Sequence, residues 1–231
     1  QLIIMKYKNL YVLQQSSIDE ILNIFPNMKP IILICPNISS TYTQKNCQIF
    51  KSIKLLVAPQ LKIITNNTFC NSQIEIVQSN KLEIVQLSAF NDSFLKKINL
   101  KNTVTIEDYA FHDSNLLSIK NNQIEQLDKT VFSSIPEMEE VKMTQLKTFN
   151  PESFQNTIIN RFSAPITNIL KWTQQPAICE CDFNSGVGKY FFQNQEQGGG
   201  DQCMAPSSRQ KVNQIFLRCF QILRQNDFLL I

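Results

Sequence analysis

One histidine and seven cysteines stand apart from the aliphatic and amide side chains that dominate this 231-residue chain. A histidine beside a thiol is the pairing that activates a nucleophile. Here His112 directly follows Phe111 and no pocket-forming motif surrounds it, so it reads as a solvated turn residue and not as a general base. No glycine-rich phosphate loop and no paired metal-ligand motif is present. The glycine run at 198–200 leads into Asp201 and not from a strand into a helix, so it reads as a flexible loop. Four cysteines, Cys179, Cys181, Cys203 and Cys219, cluster near the end of the chain as C-x-C, C-x-x-P and C. Two chemistries suit four thiols: two crosslinks, or one structural zinc. The C-x-C spacing does not favour zinc over C-x-x-C, so disulfides are preferred. No cofactor and no catalytic residue is expected.

The elements that would hold these residues must come from the rest of the chain. At 43% hydrophobic it can build a sizeable core, and its formal net charge of +3 includes no polybasic run. A nucleic-acid partner is therefore not expected. The longest apolar stretch, residues 31–35, is far short of the roughly 20 residues of a membrane span. Residues 1–13 carry lysines inside their apolar segment, unlike a signal peptide, and the chain begins at Gln1, which predicts a segment upstream.

A fixed period organises the sequence. Phe69, Phe90, Phe111, Phe132 and Phe154 lie 21, 21, 21 and 22 residues apart. Each ends a set of apolar residues at matching offsets, such as Leu116, Ile119, Ile124, Leu127 and Phe132. The frame predicts repeat starts at 10, 31, 53, 74, 95, 116, 138 and 159. It puts Thr103 in the third core slot of its repeat with Val104 as its substitute, Tyr42 in the fourth slot of the second repeat, and Cys47 in that repeat's phenylalanine slot. Ser17 and Glu20 form a capping-box pattern ahead of Ile18, Ile21, Leu22 and Phe25, which predicts one short helix ending at Pro26. A period near 21 calls for stacked strand-and-turn units, because one unit cannot bury its apolar face alone.

The pattern L-x-x-I-x-x-x-N-x-I-x-x-L-x-x-x-x-F of residues 116–132 resembles a short leucine-rich repeat of the kind found in BspA-type surface proteins. The resemblance implies a solenoid over residues 1–171, with a curved parallel sheet on the concave side and irregular turns, short 3-10 or helical segments on the convex side. The asparagine that ladders the turn after the strand falls on Asn37, Asn80 and Asn122, and other residue types fill the slot elsewhere, which predicts irregular turns. Residues 172–231 resemble the cysteine-rich C-terminal cap of extracellular leucine-rich-repeat proteins. That resemblance implies Cys179 paired with Cys203 and Cys181 with Cys219, and a secreted or cell-surface location. Of the other thiols, Cys47 reads as a buried core residue, a Cys47 to Cys70 bridge is possible, and Cys35 should face outward from a strand. Sequons at Asn37, Asn66 and Asn91 number roughly what chance gives, so they do not argue for secretion. Asn91, in a convex loop, is the glycosylation candidate.

Alternation along each strand predicts which side chains reach the concave surface. The third repeat position gives Val12, Leu33, Leu55, Ile76, Lys97, Ser118, Glu140 and Arg161, and the fifth adds Lys120 and Lys142. The face should change halfway from an apolar stripe to a net basic patch. An outward apolar stripe commonly marks a binding site, unless another part of the chain covers it. The reading is a non-enzymatic extracellular or cell-surface module that binds a protein through this face. The alternative is a structural surface or matrix component that associates with itself.

Overall fold

The computed structural model describes residues 9–24, 29–43, 48–128 and 130–165 and, by backbone, 5–7, 181–182, 187–188 and 190–192. The chain divides into two compact units, Gln1–Asn194 and Gln195–Ile231. The described residues all belong to the first; Cys47, Cys179, Cys203, Cys219 and the glycine run at 198–200 lie outside the described residues.

The first unit is a stack of coils. Each contributes one strand to the main face, and the five middle coils cross to a second short strand before returning through a turn. Main strands run Leu10–Val12, Ile32–Ile34, Leu55–Val57, Ile76–Gln78, Lys97–Ile98, Ser118–Asn121, Glu140–Met143 and Phe162–Ser163. Neighbours pair in parallel on either side of one break, between Lys97–Ile98 and Ser118–Asn121, the arrangement expected when every connection makes a full circuit. The second strands, Ile63–Ile64, Ile84–Val85, Thr105–Ile106, Gln126–Leu127 and Thr148–Phe149, pair likewise. β-Branched residues fill many of these positions because they suit a pleated, half-buried surface. The N-terminal edge of the main sheet is taken by Met5–Tyr7, antiparallel to Leu10–Val12. Near the other end Tyr190–Phe192 pairs antiparallel with Thr157–Ile159.

The phenylalanine period becomes a continuous aromatic spine. Phe69, Phe90, Phe111, Phe132 and Phe154 are fully buried, with successive ring centroids 5.1 to 5.5 Å apart and planes within 13°. Phe50 extends it by an edge contact with Phe69 at 5.0 Å. Offset stacks of this kind add about 0.5–1.5 kcal/mol per pair beyond the area they bury.

Tight turns bring the chain back past the spine. Two residues per turn have positive φ, four positions apart: Asn67 and Asn71, Ser88 and Asp92, Tyr109 and Asp113, Thr130 and Ser134. None is glycine, since the five glycines of the chain all lie at 186 or later. A β-branched residue such as Thr130 at φ 53° is strained. Backbone bonds between coils hold these conformations, as in Asn67 N–H to Leu87 O at 3.0 Å and Asp113 N–H to Ser133 O at 3.0 Å. The return side consists of turns, with 3-10 segments at Gln48–Lys51 and Pro151–Phe154. Among the described residues the α-helix is Ile18–Ile24, where the capping box places it. Ser17 Oγ accepts from Glu20 N–H at 3.2 Å, and Glu20 reaches back to Ser16 N–H at 3.1 Å.

Several expectations need correction, most of them in the second coil. Register pairs Leu33 with Leu56 and Tyr11, both on the inward side, and not with Leu55. Leu33 is fully buried in the core, so it is no part of the outer face. Cys35 is likewise fully buried, where it was expected to point outward. Tyr42 is 59% exposed, and the buried position beside it belongs to Thr41. Phe50 extends the spine into the second coil, and Cys47, to which the repeat's phenylalanine slot was assigned, lies outside the described residues. The physical cause is length: Leu10 to Ile32 is 22 residues and Ile32 to Leu55 is 23, and a one-residue slip sends every strand side chain to the opposite face. In the fifth coil Thr103 itself is buried and Val104 is 55% exposed, so no substitution occurs there.

The ladder asparagine is also displaced. Asn122 is half-buried and accepts from Thr144 Oγ1 at 3.3 Å, and Asn80 is exposed. Asn37 does bond backbone, donating to Gln14 O at 2.8 Å. The buried amide is Asn121, which donates to Leu100 O at 2.7 Å and Thr103 O at 2.8 Å and accepts from the N–H groups of Gln123 and Ile124. Ser79 and Thr103 do similar work in the two preceding coils, donating to Leu61 O and Leu82 O.

Candidate interaction face on the main sheet

Side chains on the outer face of the main sheet form two columns. Register puts Leu10, Ile32, Leu55, Ile76 and Lys97 in one, continued by Ser118, Glu140 and Arg161. Val12, Ile34, Val57 and Gln78 begin the other, continued by Asn99, Lys120, Lys142 and Ser163. Val12 thus belongs to the second column and not the first.

The two halves of this face differ in accessibility as well as polarity. Leu10, Val12, Ile34 and Leu55 are only 7%, 8%, 3% and 6% exposed, yet none of them belongs to the central core cluster. They form a separate buried apolar layer on the outer side of the sheet. Val12 and Leu55 therefore cannot serve as exposed anchors. Ile32, Val57 and Ile76 are half-buried, so Ile76 is the expected apolar contact that remains accessible. Lys97, Lys120, Lys142 and Arg161 are all exposed, as expected.

Charges on the basic half surround one carboxylate. Lys120 Nζ lies 3.0 Å from Glu140 Oε2. That hydrogen bond, together with the charges of Lys120, Arg161 and Lys142, holds the Glu140 carboxyl below its ordinary 4.5, against a smaller opposing effect of burial. Lys120 and Lys142 are direct neighbours on adjacent strands, an arrangement of like charges that costs stability. On the flanks, by contrast, charges are matched from coil to coil: Lys54 and Lys96 both meet Glu75, Lys62 meets Glu83, and Glu125 meets Lys147.

The histidine has a structural partner. His112 is half-buried, with Nδ1 2.7 Å from Ser133 Oγ and its ring edge-on to Tyr109 at 5.5 Å. Ser133 Oγ also lies 3.0 Å from Thr130 O, which can only accept, and a hydrogen on Nδ1 of His112 is the arrangement that satisfies all three groups. Expected as a solvated residue, His112 is better described as tying two turns together, a contact invisible in sequence because its partner lies 21 residues away.

Of the cysteines, Cys35 and Cys70 are free thiols, so the Cys47 to Cys70 bridge is not made. Burial pushes the Cys35 thiol from 9.0 up to about 12. Only the backbone of Cys181 is described; Cys181–Asp182 pairs antiparallel with Val187–Gly188. Asn91, the glycosylation candidate, is half-buried within a turn. Among the described residues no three His, Cys, Asp or Glu side chains are grouped to hold a metal ion, and no helix is long and apolar enough to cross a membrane.

Parallel strands repeating once per coil, with an aromatic spine behind them, define a leucine-rich-repeat solenoid. Residues 62–181, just over half of the chain, match the family model of the BspA type leucine rich repeat region in six copies. The chain belongs to that family. No curated protein and no solved structure matches it.

Proposed function

We propose that this chain is a non-enzymatic, extracellular or cell-surface module that holds a protein ligand against the outer face of its main sheet. The observation that carries this reading is the row of exposed cations, Lys97, Lys120, Lys142 and Arg161, beginning beside the half-buried Ile76. An apolar contact bordered by charge is the arrangement that concentrates binding energy in a few central side chains. Leucine-rich repeats commonly mediate protein interaction, and family membership supports the same reading.

The test is an array of secreted and surface proteins probed with the wild type, Ile76→Glu and Lys142→Glu. Loss of the same interactor with both variants, at unchanged melting temperature, is the expected result. An interactor that binds both variants as well as the wild type excludes this face.

The extracellular assignment rests on the cysteine spacing, with Cys179 to Cys203 and Cys181 to Cys219 as the proposed pairs of a C-terminal cap and Asn91 as the proposed glycan site. Peptide mapping of the unreduced protein should recover both linked pairs; four free thiols there would remove the assignment. Self-association remains the second reading. The antiparallel strand Met5–Tyr7 interrupts the parallel register at the N-terminal edge of the main sheet, which argues against continuation of the stack at that end. Light scattering should therefore report a monomer.

A further inference from the structure

We propose that the outer sheet face of the last four coils takes an acidic polypeptide segment, whose carboxylates meet Lys97, Lys142 and Arg161 while a neutral or basic side chain passes over Glu140. This inference rests on the reading of that face as a protein-binding surface and specifies the chemistry of what it binds.

Charge balance is the first support. The four cations against Glu140 leave a formal +3 on the face, equal to the formal net charge of the whole chain. Lys120 is committed to Glu140 at 3.0 Å. Among the described residues Lys97, Lys142 and Arg161 make no ion pair of their own, although the flanks of the same coils match their charges. Packing Lys142 directly beside Lys120 raises the energy of the free protein, and an incoming carboxylate relieves that repulsion.

Glu140 supplies the second support, because it selects the class of anion. The flanking cations keep it ionised. A uniformly charged polyanion such as a sulfated polysaccharide would set an anionic group against this carboxylate whatever its position. A polypeptide can place a neutral or basic residue there and carboxylates on either side. Ser118 stands between Lys97 and Glu140 in one column, Asn99 and Ser163 flank Lys120 and Lys142 in the other, and all three can hydrogen-bond a peptide backbone. Parallel strands lie about 4.8 Å apart, so Lys142 and Arg161 on adjacent strands suit acidic residues a few positions apart in an extended chain.

The test is selection from a random peptide display library on the wild-type chain, followed by fluorescence titration of the enriched peptides. Enriched peptides should carry at least two Asp or Glu residues. Their affinity should fall about tenfold with Lys142→Glu or Arg161→Glu, as when a charge pair is removed, and should weaken as salt is raised. Lys101→Glu, an exposed lysine outside the main strands, should leave it unchanged, and circular dichroism of each variant checks the fold. Peptides without acidic residues that still lose binding with Ile76→Glu would overturn the acidic chemistry while leaving the protein-binding face intact. Absence of any peptide sensitive to a substitution on this face would count against both. A heparin fragment that binds more tightly than every selected peptide would also overturn the inference, by assigning the face to a polysaccharide.

Discussion

The side-chain amide of Asn121, in the sixth coil, donates to the backbone carbonyl of Leu100 in the fifth at 2.7 Å. It does so where the regular ladders stop. Strand pairing in the main sheet runs up to Lys97–Ile98 and resumes at Ser118–Asn121, and the second sheet breaks at the same level, between Thr105–Ile106 and Gln126–Leu127. Asn121 also bonds Thr103 O and the N–H groups of Gln123 and Ile124, so one buried side chain satisfies four backbone groups. Asn121→Leu should cost about 3 kcal/mol or more, because those groups are left buried without partners. Urea unfolding measures it; a loss below about 1 kcal/mol would mean that the backbone closes the gap unaided.

Phe111 is the centre of the aromatic spine, 5.3 Å from both Phe90 and Phe132. Phe111→Ala removes a fully buried ring with a stacked neighbour on each side, and should destabilise the fold by about 3–5 kcal/mol. Phe111→Leu, which keeps more of the volume, should cost appreciably less. Equal losses for the two would show that stacking and cavity size are not what the ring contributes.

Thr130 sits at φ 53° with its hydroxyl buried and unbonded. Thr130→Gly should raise stability by about 1 kcal/mol, since a left-handed conformation costs a β-carbon about 1–2 kcal/mol and the unbonded hydroxyl is removed as well. Tyr109→Gly, at φ 56° but with a ring packed on His112, should gain less. Thermal melts of both would reveal an error in this ordering.

Cys35 gives the fold an alkaline sensitivity. Its thiol is pushed from 9.0 to about 12 by burial, so the folded state keeps a proton that the unfolded chain releases above about pH 9. Stability is therefore fully present below that value and falls as pH rises towards 12, by up to about 1.4 kcal/mol per pH unit for one such group. Comparing Cys35→Ala with the wild type from pH 8 to 10.5 isolates this contribution, and the variant should show the shallower decline. At pH 8 iodoacetamide should label the half-buried Cys70 well before Cys35; equal rates would mean that the second coil opens readily.

The repeat pattern of the chain is enough to specify the architecture. Phenylalanines 21 or 22 residues apart, each preceded by apolar residues at fixed offsets, can all be buried only if the coils stack, and the spine from Phe69 to Phe154 follows directly. The basic end of the sheet face was legible for the same reason, since Lys97, Lys120, Lys142 and Arg161 fall where the period is regular. Tertiary structure alone decided the first two coils, where steps of 22 and 23 residues leave the strand register open. Apolar side chains follow one another at residues 31–35, so either register buries hydrophobic surface and the pattern carries no preference. Pairing with Leu55–Val57 settles it and sends Leu33 and Cys35 inward. Burial of Val12 and Leu55 was equally out of reach of the sequence: alternation says which face a side chain takes, whereas its exposure depends on what packs over that face. Contacts such as His112 with Ser133 and Asn121 with Leu100 join residues 21 apart through side-chain atoms. No local pattern encodes them, and they exist only because the stack brings successive coils to hydrogen-bonding distance.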